Sequence, residues 1–263
     1  MSVSIQERYE VFFQMLVTYS HRNRPDLSSA ASAKAELIWP EFMLHDPIGN
    51  RYWQEMYELF PDYHFSIVDD ETDQVVGLIN SIPIQWNQPL NELPIQGWDW
   101  AIETGVEQGR SGVTPNIQCA LQVALLPEFQ GKGASAQMLK VMKSVGQARG
   151  LHALVAPVRP SWKHRYPLIP MEQYVRWRRE DGLMFDPWLR VHERLGARFS
   201  HIATQSMEIS APIAEWEKWT GLQMPETGEY VIPGALVQIS VDRMKDVATY
   251  FEPNVWMIHP MEI

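Results

Sequence analysis

One stretch of the chain restricts the possible folds more than any other. An apolar strand pattern at residues 116–126 passes through a short loop with Gly131 and Gly133 into an amphipathic helix pattern at residues 135–148. The first turn of a helix carries unpaired N–H groups and partial positive charge, and glycines let a backbone curl closely around an anion. The segment therefore predicts an α/β fold in which a diphosphate can bind at a helix N-terminus.

The spacing within this loop excludes two common phosphate-binding motifs. The nucleoside-triphosphate loop requires Gly-x-x-x-x-Gly-Lys-Ser/Thr, which is absent from this loop. The dinucleotide turn requires a third glycine, where this chain has Ala136. Taken alone, a glycine-containing turn before a helix is more often a plain strand-to-helix connection that binds no ligand.

Helix and strand patterns alternate along the rest of the chain. Residues 28–42, capped by Ser28 or Ser29, and residues 50–60 predict helices, while residues 3–19 allow either a helix or a first strand. Further strands are predicted at 64–68, 74–84, 151–158, 199–209 and 231–241, with a helix at 188–195. Segments 93–112 and 159–182 read as insertions. This order of elements predicts a mixed α/β sheet.

Two sequence motifs together resemble one known family. The segment Gln130-Gly131-Lys132-Gly133-Ala134-Ser135, entered through a Pro-x-x-Gln turn, resembles the Gln/Arg-x-x-Gly-x-Gly/Ala signature of the GNAT acetyltransferases. Downstream, His192-Glu193-Arg194-Leu195-Gly196-Ala197 is similar to the family's Tyr-x-Lys/Arg-Leu-Gly-Phe pattern. Two positions depart from the family: Ser135 replaces Gly or Ala, and His192 replaces Tyr.

The resemblance implies a fold and a reaction. The fold would be a mostly antiparallel central sheet with splayed middle strands, flanked by helices, in one domain over residues 1–263. Its helical N-terminal extension would cover about 1–62 and its core about 63–210. The reaction would be acetyl transfer from acetyl-CoA by direct attack of the amine of an unidentified small acceptor. The alternatives are a non-catalytic acyl-CoA or metabolite-binding protein on the same scaffold, and an unrelated α/β protein.

The resemblance also implies which residues bind the coenzyme. Backbone groups near Val123 and Leu125 would pair with the pantetheine arm, and the diphosphate would lie on residues 130–135. The implied coenzyme-binding residues are Val123, Leu125, Gln130, Gly131, Lys132, Gly133, Ala134 and Ser135. His192, at the family's tyrosine position, would protonate the departing thiolate as an imidazolium, or it is a packing histidine.

No general base can be assigned from the sequence. Asp99, Glu103 and Glu107 lie in the segment before the central strand, but each is expected to be a solvated surface carboxylate. Trp98 and Trp100 flank the first of these residues and either wall an acceptor pocket or pack in the core. The basic segment 159–167 contacts the coenzyme ribose phosphate, covers the acceptor site or is simply solvated.

Composition limits the partners. The formal net charge of -10 disfavours nucleic-acid binding and mildly favours a cationic or neutral acceptor. Cys119, the single cysteine, is expected to be a buried inert thiol in a cytoplasmic protein without disulfides. The sequence predicts no signal peptide, membrane span or metal site. A homodimer is a further expectation, because aromatic residues outside the core can fill an interface.

Overall fold

A computed structural model describes residues 16–32, 38–130 and 133–261, except for the side chains of residues 29, 31 and 32. Within these residues the strands are β1 (Leu16–Ser20), β2 (His64–Asp69), β3 (Gln74–Ile84), β4 (Ile117–Leu125), β5 (Ala153–Val158), β6 (Arg198–Ala211), β7 (Gly228–Tyr230), β8 (Ile239–Asp242) and β9 (Val247–Pro260). The α-helices are α1 (Pro25–Ser32), α2 (Pro47–Leu59), α3 (Gly97–Arg110), α4 (Ala134–Ala148), α5 (Met171–Tyr174), α6 (Pro187–Arg194) and α7 (Ile213–Thr220).

All nine strands belong to one sheet, in the order β1-β2-β3-β4-β5-β9-β8-β7, with β6 also paired to β9. The β4–β5 pair is parallel, and the other pairs are antiparallel. Helices flank the sheet, and the predicted stripe of α4 is buried against it. The predicted fold class, a mostly antiparallel mixed sheet flanked by helices, is confirmed.

The parallel pair in the middle of the sheet opens along its length. Paired residues are Gln118 with Leu154 and Cys119 with Val155, yet β4 continues to Leu125 and β5 to Val158. The pairing of β3 with β4 also shifts register between Asn80 and Ser81. Beyond the last pair the two strands diverge, as predicted for the splayed middle strands, and the facing edge of β4 is left without a neighbouring strand.

Several predicted elements are correct to within a few residues, and two are wrong. The predicted helix at 28–42 begins earlier, at Pro25, so Ser28 lies inside α1 and is not its cap. Residues 38–40 are not helical and lead into a short 3-10 turn at Glu41–His45. Residues 33–37 lie outside the described ranges, as does most of the predicted element at 3–19, whose last residues form β1.

The C-terminal part of the chain shows the other difference. Of the strand predicted at 231–241, only residues 239–241 pair in the sheet, as part of β8. The long strand β9, which sequence patterns did not reveal, lies between β5 and β8. It is buried along most of its length and contains Glu252 and Asn254, so it lacks the alternation by which strands are recognised. Among the helices described, each falls short of the length and apolar character that a bilayer-spanning segment requires.

Candidate active site

A cavity of about 1130 Å³ occupies the gap where β4 and β5 diverge. Its wall includes Val123 and Leu125 of β4, Ala156 and Val158 of β5, and residues from α2, α4 and α6. The cavity also reaches β9, where Glu252 lies in its wall. The opening of the central sheet is therefore the feature that creates the site.

The exposed edge of β4 forms one side of the cavity. The Leu121 carbonyl accepts a hydrogen bond from Trp98 Nε1 at 2.8 Å, and the Leu125 carbonyl accepts one from Gln130 Nε2 at 2.8 Å. Alternate peptide groups of a strand point to the same edge, so the Val123 peptide group between them faces the same gap. This edge presents backbone groups to an extended ligand as an unpaired sheet edge does.

The N-terminus of α4 forms the adjoining side. Gly133 has a left-handed backbone, with φ of +83°, and no side chain of the described residues caps the helix. Apart from its two chain neighbours, no described residue has an atom within 4 Å of a Cβ added at this glycine, so that part of the turn faces open space. Ser135 is also part of the wall, whereas the Ala134 side chain is buried in the core. An uncapped helix start beside open space suits a diphosphate group.

Five of the predicted coenzyme-binding residues that the structure describes lie close together. Val123, Leu125, Gln130, Gly133 and Ser135 all contribute to one wall of the cavity. The remaining members of the predicted set are Gly131 and Lys132, which lie outside the described residues, and Ala134.

His192 lies in the cavity wall on α6 and is only 1% exposed. Its Nδ1 is 2.9 Å from Nε2 of His259, and its ring packs edge-on against Trp188. No described group hydrogen-bonds its Nε2. Burial, together with His259, holds the pKa of His192 well below its ordinary value. The imidazole is therefore neutral near pH 7. The imidazolium that the family resemblance implies as the acid is a minor form in the free protein.

Two aspartate side chains are buried at this site: Asp46 lines the cavity, and Asp99 contacts Asp46 from outside the cavity wall. Asp46 caps α2, with its Oδ1 accepting a hydrogen bond from the Gly49 N–H, and it is 3% exposed. Asp99 lies in the first turn of α3, is 9% exposed, and accepts a hydrogen bond from the Glu208 N–H at 3.0 Å. The expectation that Asp99 is a solvated surface carboxylate is therefore wrong, because packing of α3 against β6 buries it.

The other two carboxylates of that segment lie elsewhere. The Tyr52 hydroxyl lies 3.2 Å from Glu103 and 3.1 Å from Glu107, and the second of these pairs with Arg110 at the surface. Neither belongs to the cavity wall. Of the three candidate bases, only Asp99 approaches the cavity, through its contact with Asp46.

The ionisation of one buried aspartate depends on that of the other. Burial raises the pKa of Asp46 to about 6. Burial and the charge of Asp46 raise the pKa of Asp99 to about 9. Because the two carboxyl groups interact directly, they titrate as a pair. Near neutral pH the pair holds one proton and one negative charge.

A third acid, Glu252, is fully buried, and each of its carboxylate oxygens accepts a hydrogen bond. It accepts hydrogen bonds from Arg159 Nε at 2.9 Å, from the Tyr250 hydroxyl at 3.1 Å and from Asn254 Nδ2 at 3.0 Å. The Asn254 amide oxygen in turn accepts from the Ser206 hydroxyl at 2.6 Å. A network satisfied in this way fixes the side chains that line the cavity floor.

The basic segment 159–167 is mostly built into this framework. Arg159 pairs with Glu252 and donates to the Gly234 carbonyl at 2.6 Å. Lys163 is buried, and its Nζ donates to the carbonyls of Tyr166 and Leu236 at 2.8 and 2.6 Å. For these two cations the expectation of simple solvation is wrong, because each is held by partners within the fold.

Aromatic rings complete the wall. Trp53 and Trp98 stack with ring centroids 6.1 Å apart and an interplanar angle of 21°, and both line the cavity. Trp100 instead packs edge-on against Trp86 and Trp256 in the core. The two neighbouring tryptophans flanking Asp99 therefore take different roles, one in the site and one in packing.

Two further expectations concern reactive groups. Cys119 is fully buried where β4 and β5 still pair, and burial raises the pKa of its thiol, as expected for an inert cysteine. Over the ranges that the structure covers, no three His, Cys, Asp or Glu side chains gather closely enough to hold a metal ion.

No family model matches the chain. The chain is similar to the arginine N-acetyltransferase avaD of Aspergillus versicolor, with 34% identity over 250 residues that cover 85% of this chain and 86% of the relative. It belongs to the GNAT family. This identity and coverage make the chain an N-acyltransferase that uses acyl-CoA, as the two motifs predicted.

Solved GNAT structures agree with the fold of this N-acyltransferase. The loading GNATL domain of CurA from Lyngbya majuscula superposes with a TM-score of 0.56 at 19% identity, covering 93% of this chain and 96% of that one. A GNAT-like decarboxylase, GphF, in complex with isobutyryl-CoA gives a TM-score of 0.55 at 15% identity, covering 94% and 99%. At these identities the likeness concerns the fold alone.

Sequence reasoning missed several residues of the acyltransferase site. Asp46, Trp53 and Glu252 line the cavity, but nothing near them resembles a motif. Asp46 precedes Pro47, a pattern typical of an ordinary helix cap. Glu252 and Asn254 are buried polar residues within a strand, and buried polar residues often mark a functional site. Their burial can be recognised only from the folded structure, because the sequence does not reveal β9.

Proposed function

We propose that this enzyme transfers an acetyl group from acetyl-CoA to a nitrogen of arginine or of a closely related small cationic molecule. The observation that carries the proposal is the single cavity, which joins the open edge of β4 and the start of α4 to a wall containing Asp46 and Glu252. One side offers backbone donors for a diphosphate, and the other offers negative charge. The substrate in the relative's name and the net charge of -10 agree with a cationic acceptor.

On the donor side, binding rests on main-chain groups. The peptide groups of Val123 and Leu125 hydrogen-bond the pantetheine arm as a neighbouring strand would. The N–H groups at the start of α4 and the Ser135 hydroxyl bind the diphosphate. Gln130 anchors the loop through its bond to the Leu125 carbonyl. The rest of the diphosphate site consists of Gly131, Lys132, Gly133 and Ala134. Bound acyl-CoA supplies the thioester carbonyl for attack.

Direct transfer moves one proton from nitrogen to sulfur. The acceptor nitrogen attacks as the neutral amine and loses a proton on forming the amide, while the departing thiolate gains one. We assign to His192 the role of a hydrogen-bond donor to the departing sulfur, because its Nε2 has no partner among the described residues. The neutral imidazole keeps its Nε2–H and stabilises the thiolate, which takes up the proton that the acceptor nitrogen releases, through solvent in the cavity. In that tautomer Nδ1 of His192 accepts from Nε2–H of His259, which fits their distance of 2.9 Å.

Thiol release from acetyl-CoA across a matched set of acceptors tests the acceptor class. Arginine and citrulline have the same shape, but only arginine carries a positive charge at its end. We expect thiol release with arginine and little above background hydrolysis with citrulline. Equal rates with the two would contradict the cationic acceptor, and mass spectrometry of the product identifies the modified nitrogen.

Thermal stabilisation by acetyl-CoA tests the donor site. A ligand present at 100 times its dissociation constant stabilises the fold by about 2.7 kcal/mol. We expect such a shift with acetyl-CoA and none with NAD, because the loop lacks the dinucleotide spacing. Equal shifts with both would contradict a dedicated coenzyme site, and longer acyl-CoA esters in the same assay define the acyl chain.

A further inference from the structure

Two buried carboxyl oxygens beside the acceptor half of the cavity, the wall that contains Asp46, Trp98 and Glu252, receive no hydrogen bond from a third residue. Apart from the pair itself, no N–H or O–H within the described ranges donates to Oδ2 of Asp46 or to Oδ1 of Asp99. The other oxygen of each group is engaged with a backbone N–H. Asp46 belongs to the cavity wall even though it is 3% exposed. Leaving a buried carboxyl oxygen without a donor is costly, and in the free enzyme a proton shared by the two hydrogen-bonded carboxyl groups meets that need.

Among the described residues, the surroundings of the pair supply no cation or N–H that could take the place of this shared proton. Glu252, across from Asp46, raises its pKa, and Glu208, across from Asp99, raises the pKa of that group. Arg159, a cation in the cavity wall, is already held by Glu252 and by the Gly234 carbonyl. The charged groups that face the pair from β6 and β9 are therefore acidic or already neutralised. A cationic ligand would find an attractive potential here.

We propose that Asp46 and Asp99 bind the guanidinium group of the acceptor, which replaces a proton that the two carboxyl groups share in the free enzyme. The assignment deepens the proposed function and rests on it for the identity of the cation. A guanidinium group presents several N–H donors in one plane, and these can bridge two carboxylates at once. An ammonium group is compact and lacks that fork.

The neighbouring aromatic rings favour a planar cation. A Cβ atom placed at Gly49 would lie 3.0 Å from Asp46 Oδ1 and 3.2 Å from the indole of Trp98, so the ring and the carboxylate border the same point. Trp98 stacks with Trp53 in the same wall. Guanidinium groups stack on aromatic faces as well as pairing with carboxylates. The absence of a side chain at Gly49 allows the Trp98 ring and the Asp46 carboxylate to approach each other this closely.

Binding of the cationic acceptor changes the protonation of the Asp46–Asp99 pair. The free pair carries one proton and a charge of about −1 near pH 7.5, between its two pKa values. An incoming cation stabilises the ionised form of both carboxyl groups, so the shared proton passes to solvent. The bound pair then has two negative charges beside one positive charge, and one proton has been released for each acceptor bound.

Calorimetry of arginine binding tests this directly. The enzyme is saturated with CoA, which allows no transfer, and is titrated with arginine at pH 7.5 in buffers that differ in ionisation enthalpy. We expect proton release approaching one per arginine bound by the wild type and none by Asp99→Asn, with dissociation constants at least tenfold higher for Asp46→Asn and Asp99→Asn. Arginine binding by the wild type without proton release would overturn the proposal.

The variants and controls separate this proposal from the proposed function. Asparagine at position 46 can still cap α2, so the fold is retained and circular dichroism verifies it. Glu103→Gln lies one turn further along α3, away from the cavity, and should bind arginine as the wild type does. In turnover, the two pair variants should raise KM for arginine by tenfold or more with little change in kcat. If KM for arginine were unchanged in both Asp46→Asn and Asp99→Asn, the pair would not bind the acceptor. Acetylation of arginine by the wild type would remain a separate finding.

Two analogues give the remaining outcomes. Agmatine keeps the guanidinium group without the carboxylate of arginine, and ornithine replaces that group by an ammonium. We expect agmatine to release a proton on binding and ornithine to bind more weakly. If arginine is not acetylated but agmatine binds with proton release, the pair's role is supported and the acceptor differs from arginine. Ornithine binding as tightly as agmatine would overturn the preference for guanidinium.

Discussion

The donor half and the acceptor half of the cavity are built in opposite ways. The half that we propose for the acyl donor is lined by Val123, Leu125, Gln130, Gly133 and Ser135, which are close together in the chain, and it would use mainly their backbone groups. The acceptor half is assembled from Asp46, Trp98 and Glu252, which are far apart in the chain and present side chains. Backbone recognition depends on a local turn and a helix start, whereas side-chain recognition depends on packing of distant elements. We therefore expect binding of the acyl donor to depend on the fold itself. Specificity for the acceptor can instead change through side-chain substitutions that leave the fold unchanged.

The largest expected effect concerns the framework of the acceptor half. Arg159→Met leaves Glu252 buried without its cation, and loss of one partner of a buried ion pair costs about 3–5 kcal/mol. We expect the free energy of unfolding, measured in urea, to fall by about that amount. Arg110→Met removes a surface cation that pairs with Glu55 and should cost far less. Equal losses in both variants would show that Glu252 does not depend on its partner.

The donor half is tested at Gly133. A valine there places a branched side chain in the open space beside the start of α4 and forces it into a left-handed backbone. We expect kcat/KM for acetyl-CoA to fall by about 100-fold, equivalent to about 2.7 kcal/mol of lost stabilisation. Gly150→Val is the matched control, because this glycine has a φ of +71° just beyond the other end of the same helix. A comparable loss in the control would attribute the effect to backbone strain.

His192 lines the same cavity as the donor and acceptor halves, and its substitution is expected to have a smaller effect on catalysis. His192→Ala should lower kcat by about tenfold, or about 1.4 kcal/mol, at saturating acetyl-CoA. His192→Gln retains an N–H donor and should recover part of the loss. Because its pKa lies well below the ordinary value, the wild-type kcat should show no fall between pH 6 and 7 from titration of this imidazole. An unchanged rate in the alanine variant would remove His192 from the mechanism.

The smallest expected effect is a pH dependence of stability. The pKa of Asp99 is raised to about 9 in the folded protein, so the fold keeps a proton there that the unfolded chain has lost. Stability contributed by that proton is lost as pH rises, with a slope of at most about 1.4 kcal/mol per pH unit. Between pH 7 and 8, the wild type should lose more stability than Asp99→Asn in urea titrations. Parallel pH profiles would contradict a protonated Asp99.

The sequence predicted the donor half better than the acceptor half for a physical reason. The turn before α4 and the stripe of α4 are local patterns, and the family motif covers both. Asp99 looked like a surface residue because its burial is decided by β6, more than 100 residues away. The strand β9 escaped recognition because Glu252 and Asn254 interrupt its apolar pattern, and their hydrogen bonds are visible only in the folded chain.

A crystal structure with CoA and arginine bound would show directly whether both substrates lie in this one cavity. We expect the diphosphate within hydrogen-bonding distance of the backbone N–H groups of residues 133–135, and the guanidinium group on Asp46 and Asp99. CoA bound away from the gap between β4 and β5, or a guanidinium group that points away from this pair, would contradict this expectation.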